Sequence, residues 1–188
     1  MHLTRYRMYR KIGQAIGGRL QGQILGVSGI QHFYQWIDRA SSVLVEVEYP
    51  EVDMQELPFP DGRFDVVISD HVIAHLPDPG RAIREAFRVL KTGGISIHAT
   101  CSWNPVFRCP EDYFRFSPAA LRVMCPPGCE VLECGSWGNR LAMGLLLLWD
   151  SKFRFLQIPE RRGLRRWLAT WNEPRYPIHS WIVAKKAA

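Results

Sequence analysis

The chain has 188 residues, 47% of them hydrophobic and 22% charged, with a formal net charge of +6. This is enough for one domain with a substantial core and short for two, and the composition is that of a folded soluble protein rather than a disordered or fibrous one. Residues 1–150 carry a net charge of −1, whereas 151–188 hold nine basic and two acidic residues, so the basic character belongs to the tail and need not describe an active site.

The opening Met1–Arg10 stretch is basic, with a small cluster at Arg5, Arg7, Arg10 and Lys11, but no apolar signal core follows it. The longest apolar stretch, Leu141–Trp149, is well short of the roughly 20 residues that cross a bilayer, so a cytoplasmic location is expected. Gln23–Ser28 reads as a first strand, Gln31–Arg39 as a helix and Ser42–Tyr49 as a second strand. A turn at Pro60-Asp61-Gly62 then launches Phe64–Ile68, a short apolar run whose β-branched content suits a strand buried on both faces. His71–His75 reads as a short helix. Pro79-Gly80 opens a longer one, Arg81–Leu90, with Ala82, Ile83, Ala86, Phe87 and Leu90 on one face. Lys91-Thr92-Gly93-Gly94 stops it, and Ile95–Ala99 is the next strand. Ser117 and Pro118 cap a helix that runs to about Met124. Glu130–Gly135 and Ser180–Ala184 are the last strands, read as an antiparallel edge pair, with a long insertion, residues 137–177, between them.

Alternating strands and helices of these lengths predict an α/β fold with a mostly parallel sheet, in one domain spanning residues 1–188. Ligands of such sheets sit at the carboxyl ends of strands, which directs attention to Asp70 and His71. No G-x-G-x-x-G opens the first helix, which argues against a dinucleotide oxidoreductase. The five cysteines form no CxxC pair, and their odd count argues against a disulfide framework. Cys125 and Cys129 with His98 or Cys134 have the donor types for zinc, but buried free thiols are the simpler reading, and no metal is expected.

Residues 53–94, from Asp53-Met54-Gln55-Glu56-Leu57-Pro58-Phe59 through Phe64-Asp65-Val66-Val67-Ile68-Ser69-Asp70-His71 to Lys91-Thr92-Gly93-Gly94, resemble the second half of the cofactor domain in class I, type 11 S-adenosylmethionine-dependent methyltransferases. The resemblance extends over about residues 23–139 and implies a Rossmann-like sandwich, here shortened after the second strand. Asp112–Pro118 and Gly135-Ser136-Trp137-Gly138-Asn139 resemble motifs of small methyltransferases found near glycan-assembly genes. The family carries an acidic residue and G-x-G-x-G after the first strand. This chain has Gly26-Val27-Ser28-Gly29 there, without the acid and with fewer glycines.

The resemblance assigns S-adenosylmethionine to a cleft formed by Gly26, Ser28, Gly29, Glu48, Asp53, Met54, Asp70 and His71. The acid at the end of the second strand would take the ribose hydroxyls, with Glu48 favoured and Glu46 the alternative. Asp53 would accept from the adenine amino group and Met54 would line the ring. Methyl transfer from a sulfonium needs mainly proximity, and a base only when the acceptor must lose a proton. His71 and His75, four apart on one helix face, are the candidates, with His75 taken as the base. Tyr113 and Arg115 are the candidate acceptor contacts, and the acceptor is expected to be a small molecule, most directly a sugar or natural-product hydroxyl. The rival reading is a relative that keeps the fold and serves as a binding or scaffold partner, favoured by the eroded glycine motif and the short segment before the first strand.

Leu164, Trp167, Leu168 and Trp171 form an apolar stripe opposite Arg161, Arg162, Arg165 and Arg166. A basic amphipathic segment over residues 158–171 suits peripheral membrane contact, the sheet or a homodimer interface, and nucleic acid is not expected without a recognised binding module.

Overall fold

Six strands build one sheet in the computed structural model, which describes residues 2–107, 110–154 and 163–187. The strands are β1 (Leu20–Val27), β2 (Ile37–Val47), β3 (Phe64–Asp70), β4 (Leu90–Cys101), β5 (Glu130–Trp137) and β6 (His179–Lys185). They lie in the order β2-β1-β3-β4-β6-β5. The first four are mutually parallel, and β6 runs antiparallel to both β4 and β5, as the edge pair was expected to do. Side chains alternate between the faces. Ile24, Val66, Ile68, Trp181 and Val183 pack with α1 (Tyr6–Ile16) and with Ala142, Leu146, Leu168 and Ala169. Leu25, Val27, Val67, Ile182 and Ala184 pack on the other face with α2 (Pro79–Val89) and α3 (Pro118–Met124).

The local caps follow from the residues. Asp78 accepts from the Arg81 N–H with Pro79 opening α2, and Ser117 accepts from the Ala120 N–H with Pro118 opening α3. The connection from β2 to β3 contains no helix, although it must pass β1. Arg88 of α2 donates to the carbonyls of Leu57 and Phe59, and Glu85 accepts from the Leu57 N–H at 3.0 Å, so α2 braces the shortened crossover.

Four local expectations are corrected. The helix expected over 31–39 is a 3-10 turn, Ile30–Trp36, because Ile37 onward pairs with β1 from Leu20 and extends β2. β4 begins at Leu90 and takes in Lys91–Gly94, whose backbone continues the ladder around a bulge beside β3. His71 is not helical. It holds a left-handed backbone, φ 60°, and the helical turn is only Ile73–His75, so His71 and His75 share no helix face. The segment before β1 is also fuller than anticipated: Leu3, Met8, Tyr9 and Ile12 are fully buried, and α1 ends on Gly17 in the left-handed cap conformation.

The region after β5 contains α4 (Arg140–Arg154) and α5 (Leu164–Thr170). Arg161, Arg162 and residues 158–160 of the proposed basic segment lie outside the described residues. Of the remaining stripe, Leu168 is buried, while Leu164 and Trp167 are exposed at 77% and 52%.

His98 shows why one interior polar group is tolerated. It is fully buried on β4 between the hydroxyls of Ser69 (2.7 Å) and Ser96 (2.6 Å), which satisfy both ring nitrogens of a neutral imidazole. Burial pulls its pKa down to about 4. The unfolded chain takes up a proton below about 6.5 that the folded chain refuses, so stability is complete above that pH and is lost as pH falls toward 4, by about 3 kcal/mol. Melting curves between pH 7 and pH 4 should show a steeper decline for the parent than for His98→Gln. Equal slopes would remove His98 as the acid-sensitive group.

Candidate active site at the switch point of the sheet

The chain leaves β1 to β2 on one side and reaches β3 on the other, so the crevice beyond β1 and β3 is a topological switch point. After β1 the backbone turns through Ser28 and Gly29, both left-handed at φ 52° and 65°. Val27 registers with Ser69, which places Ser28 beside Asp70, the last residue of β3. Ser28 and His71 are the non-glycine residues with positive φ among those described, and both stand at this crevice.

Asp70 is buried, and Tyr9 of α1 donates to its Oδ2 at 2.5 Å. Its Oδ1 is buried with no hydrogen-bond partner among the described residues and lies 3.8 Å from His71 Nδ1. Burial raises the Asp70 pKa, opposed by the positive charge of Arg5 and the Tyr9 hydrogen bond. The Tyr9 hydroxyl is itself held protonated, first by burial and then by the Asp70 charge. His71 is half-buried, its two ring nitrogens are buried with no hydrogen-bond partner among the described residues, and its ring stacks on His179 at 5.1 Å and 12°. Burial first, then Arg5 and His179, keep its pKa well below the ordinary histidine value, so the imidazole is neutral.

Beside this strand end lies a pocket of about 240 Å³, lined by Thr4, Arg5, His71, His75, Asn104 and His179, with Phe107 and Leu146 among its apolar walls. His75 Nδ1 lies 2.8 Å from the Glu111 carbonyl oxygen, and its ring meets Phe107 edge-on at 5.3 Å. A carbonyl only accepts, so Nδ1 carries the proton and Nε2 carries the lone pair in the neutral ring.

The other sequence-derived residues are placed as follows. Gly26 sits under Ile30, and a side chain at position 26 would collide with Ile30, which gives that glycine a packing reason. Glu48 is exposed just beyond β2, while Glu46 accepts from the Tyr34 hydroxyl at 2.7 Å. The Asp53 carboxylate accepts from the Gln55 backbone and side chain, and Met54 is 1% exposed in the core beside Leu25, Val27 and Leu57. Tyr113 is half exposed. Arg115 is tied to Asp112 and to the Asn104 carbonyl, and so holds the loop that carries Asn104 to the pocket. Neither Tyr113 nor Arg115 lines that pocket. Ser28, Gly29, Asp70, His71 and His75 are thus gathered at one end of the sheet, whereas Asp53 and Met54 are engaged in their own turn and the core. Thr4, Tyr9 and His179 escaped the sequence reading, and Arg5 enters it only as a member of a basic cluster. The 8, 9, 12 apolar spacing of α1 was a usable signal for the helix, but nothing local ties it to Asp70.

A zwitterion with a sulfonium fits the strand-end group. The Asp70 Oδ1 and Thr4 Oγ1 are buried polar atoms without hydrogen-bond partners among the described residues, Arg5 supplies a cation, and the left-handed turn at Ser28 and Gly29 lets backbone approach a ligand.

The family model "Methyltransferase domain" matches residues 14–98. A probable S-adenosylmethionine-dependent methyltransferase of Mycolicibacterium smegmatis is 41% identical over 68 residues, covering 34% of this chain and 26% of that one. Residues 14–98, somewhat under half of the chain, are thus similar to a methyltransferase domain. The rice (Oryza sativa subsp. japonica) chloroplastic 2-methyl-6-phytyl-1,4-hydroquinone methyltransferase 1 is 45% identical over 128 residues, 68% of this chain and 34% of that one. The chain therefore spans about a quarter to a third of these curated relatives. Among solved structures, Haemonchus contortus phosphoethanolamine N-methyltransferase 2, in complex with S-adenosyl-L-methionine, overlays with a TM-score of 0.61 at 12% identity, over 97% of this chain and 53% of that one. At that identity the overlay shows the fold alone, a mostly parallel Rossmann-like sheet with an antiparallel edge pair.

Proposed function

We propose that the chain methylates a hydroxyl of a small acceptor, of the sugar or natural-product kind, with S-adenosylmethionine as cofactor. The observation that carries this reading is His75: the Glu111 carbonyl fixes its tautomer, so a lone-pair Nε2 belongs to a ring that lines the pocket next to the Asp70 strand end. When bound, S-adenosylmethionine supplies an activated methyl group on a sulfonium. The chain's part is alignment and proton removal. Asp70 takes the cofactor's ammonium in place of the acid missing at Gly26, since the two positions lie on neighbouring strands at the same end. Arg5 and Thr4 would hold the carboxylate, the Ser28-Gly29 backbone would support the methionine end, Glu48 would serve the ribose, and Asp53 would reach the adenine only by sharing a carboxylate that already accepts from Gln55. His75 Nε2 would receive the proton of the acceptor hydroxyl, while Asn104 would orient the acceptor. Neutral His71 shapes the wall.

Calorimetric titration with S-adenosylmethionine and S-adenosylhomocysteine tests the cofactor part. Micromolar binding is expected, weakened at least tenfold in Asp70→Asn, consistent with loss of a charge-assisted contact of about 1.5–3 kcal/mol. No binding at millimolar ligand would favour the second reading, a non-catalytic scaffold. One observation speaks for that reading: Ile30 is fully buried over Gly26, in the segment where the family carries a flexible glycine set.

A further inference from the structure

α4 exposes an apolar face that nothing in the chain covers among the described residues. From Leu141 to Trp149 it contains no polar side chain. Ala142 and Leu146 face the core, yet Leu141, Leu147, Leu148 and Trp149 are 44%, 68%, 73% and 56% exposed. Leu164 and Trp167 of α5 are exposed as well. Exposed leucines and a tryptophan clustered within nine residues of one helix mark an interaction surface rather than scattered exposure.

The far end of α5 meets a basic cleft. Between α1 and α5 lies a cavity of about 260 Å³ lined by Tyr6, Arg7, Arg10, Lys11, Gln14 and Thr170, with no carboxylate among them. The guanidinium carbons of Arg10 and Arg166 each lie 5.9 Å from the Tyr6 ring centre, so a fourth cation converges there. Arg7 donates through Nη1 to the Thr170 carbonyl, and its Nε is buried with no hydrogen-bond partner in the described chain. The first acidic residue of the sequence is Asp38, so the whole segment that builds α1 is cationic.

We propose that this cleft takes the phosphate of an anionic phospholipid while the exposed leucines and tryptophans of α4 and α5 enter the lipid surface, seating the protein on an anionic membrane. Charge decides the occupant. A cationic cleft and apolar helices rimmed by tryptophan complement an anionic bilayer, whereas a second copy would bring the same cations against themselves. No helix among the described residues is long and apolar enough to cross a membrane, so the contact is peripheral. It does not depend on the methyl acceptor.

Co-sedimentation with phosphatidylcholine vesicles, with and without phosphatidylglycerol, tests the proposal on the full chain. Binding is expected to the anionic vesicles at low salt and to fall at high salt. Arg10→Gln with Lys11→Gln should weaken it about 30-fold, the two charges each contributing about fivefold. Leu147→Ser with Leu148→Ser should weaken it more than tenfold, from lost apolar burial. Melting temperatures confirm that both variants are folded. Failure to bind anionic vesicles at low salt overturns the proposal, as does binding that neither pair of substitutions alters. So do three other results: inorganic phosphate binding lost in the glutamine variant without vesicle binding, nucleic-acid binding with the same pattern, or a dimer that the serine variant dissociates while vesicle affinity stays constant.

Discussion

Trp137→Ala is expected to destabilise the protein by about 3–5 kcal/mol, lowering the melting temperature by roughly 10 °C for a chain of this size. Trp137 ends β5, is fully buried, and donates from Nε1 to the Trp171 carbonyl at 2.9 Å. The next two residues extend the same anchor. The Gly138 N–H donates to Asn172 Oδ1, the Glu173 N–H donates to the Gly138 carbonyl, and a Cβ at position 138 would lie 2.0 Å from the Tyr176 carbonyl oxygen. Asn139 Oδ1 accepts from the Ala142 N–H at the start of α4, and its Nδ2 reaches the carbonyls of Leu168 and Trp171. Truncating the tryptophan leaves a large cavity and removes one of the two donors to the Trp171 carbonyl at the junction of β5, α4 and α5. Leu147→Ser, on the exposed face of α4, should move the midpoint by no more than a degree or two. A Trp137→Ala protein that melts with the parent would show that the α4–α5 region is not anchored here.

His75→Gln is expected to slow methyl transfer to a hydroxyl acceptor by 10²–10⁴-fold, with S-adenosylmethionine affinity unchanged, because removal of a positioned base costs about that much. The glutamine amide can still donate to the Glu111 carbonyl, so the loop holding Asn104 should keep its place and the loss should fall in kcat rather than KM. An amine acceptor that arrives deprotonated should lose little with the same variant, which separates proton removal from packing. A drop of less than threefold with a hydroxyl acceptor would remove His75 as the base. His71→Asn serves as the comparison: its ring stacks on His179, so its loss should appear as instability before it appears in the chemistry.

These expectations depend on features of very different legibility. The Phe64–Asp70 strand, helix α2 with its Pro79 start, and the Ser117 cap were readable because hydrophobic period and capping chemistry act within a few residues. The resemblance over residues 53–94 then indicated the type of domain. The helix read over 31–39 failed because Phe33, Trp36 and Ile37 have helical spacing, yet pairing of Ile37 with Leu20 across the sheet outweighs it. His71 and His75 were read as helical neighbours. They meet instead through a left-handed residue at the strand end, a conformation imposed by the crevice and not by local preference.

By itself, then, the sequence determined the alternation of strands and helices and the likeness to methyltransferase domains, since these rest on local periodicity and on motifs contiguous in the chain. Tertiary structure alone decided that Tyr9 reaches Asp70 across 61 positions, that Arg5 and His179 share a pocket with His75, and that Trp137 pins the helices after β5. Each of these contacts joins segments with no mutual signature in the chain. They arise because the six-stranded sheet brings its strand ends and covering helices within hydrogen-bonding reach, and the burial that results raises the Asp70 pKa and lowers that of His71.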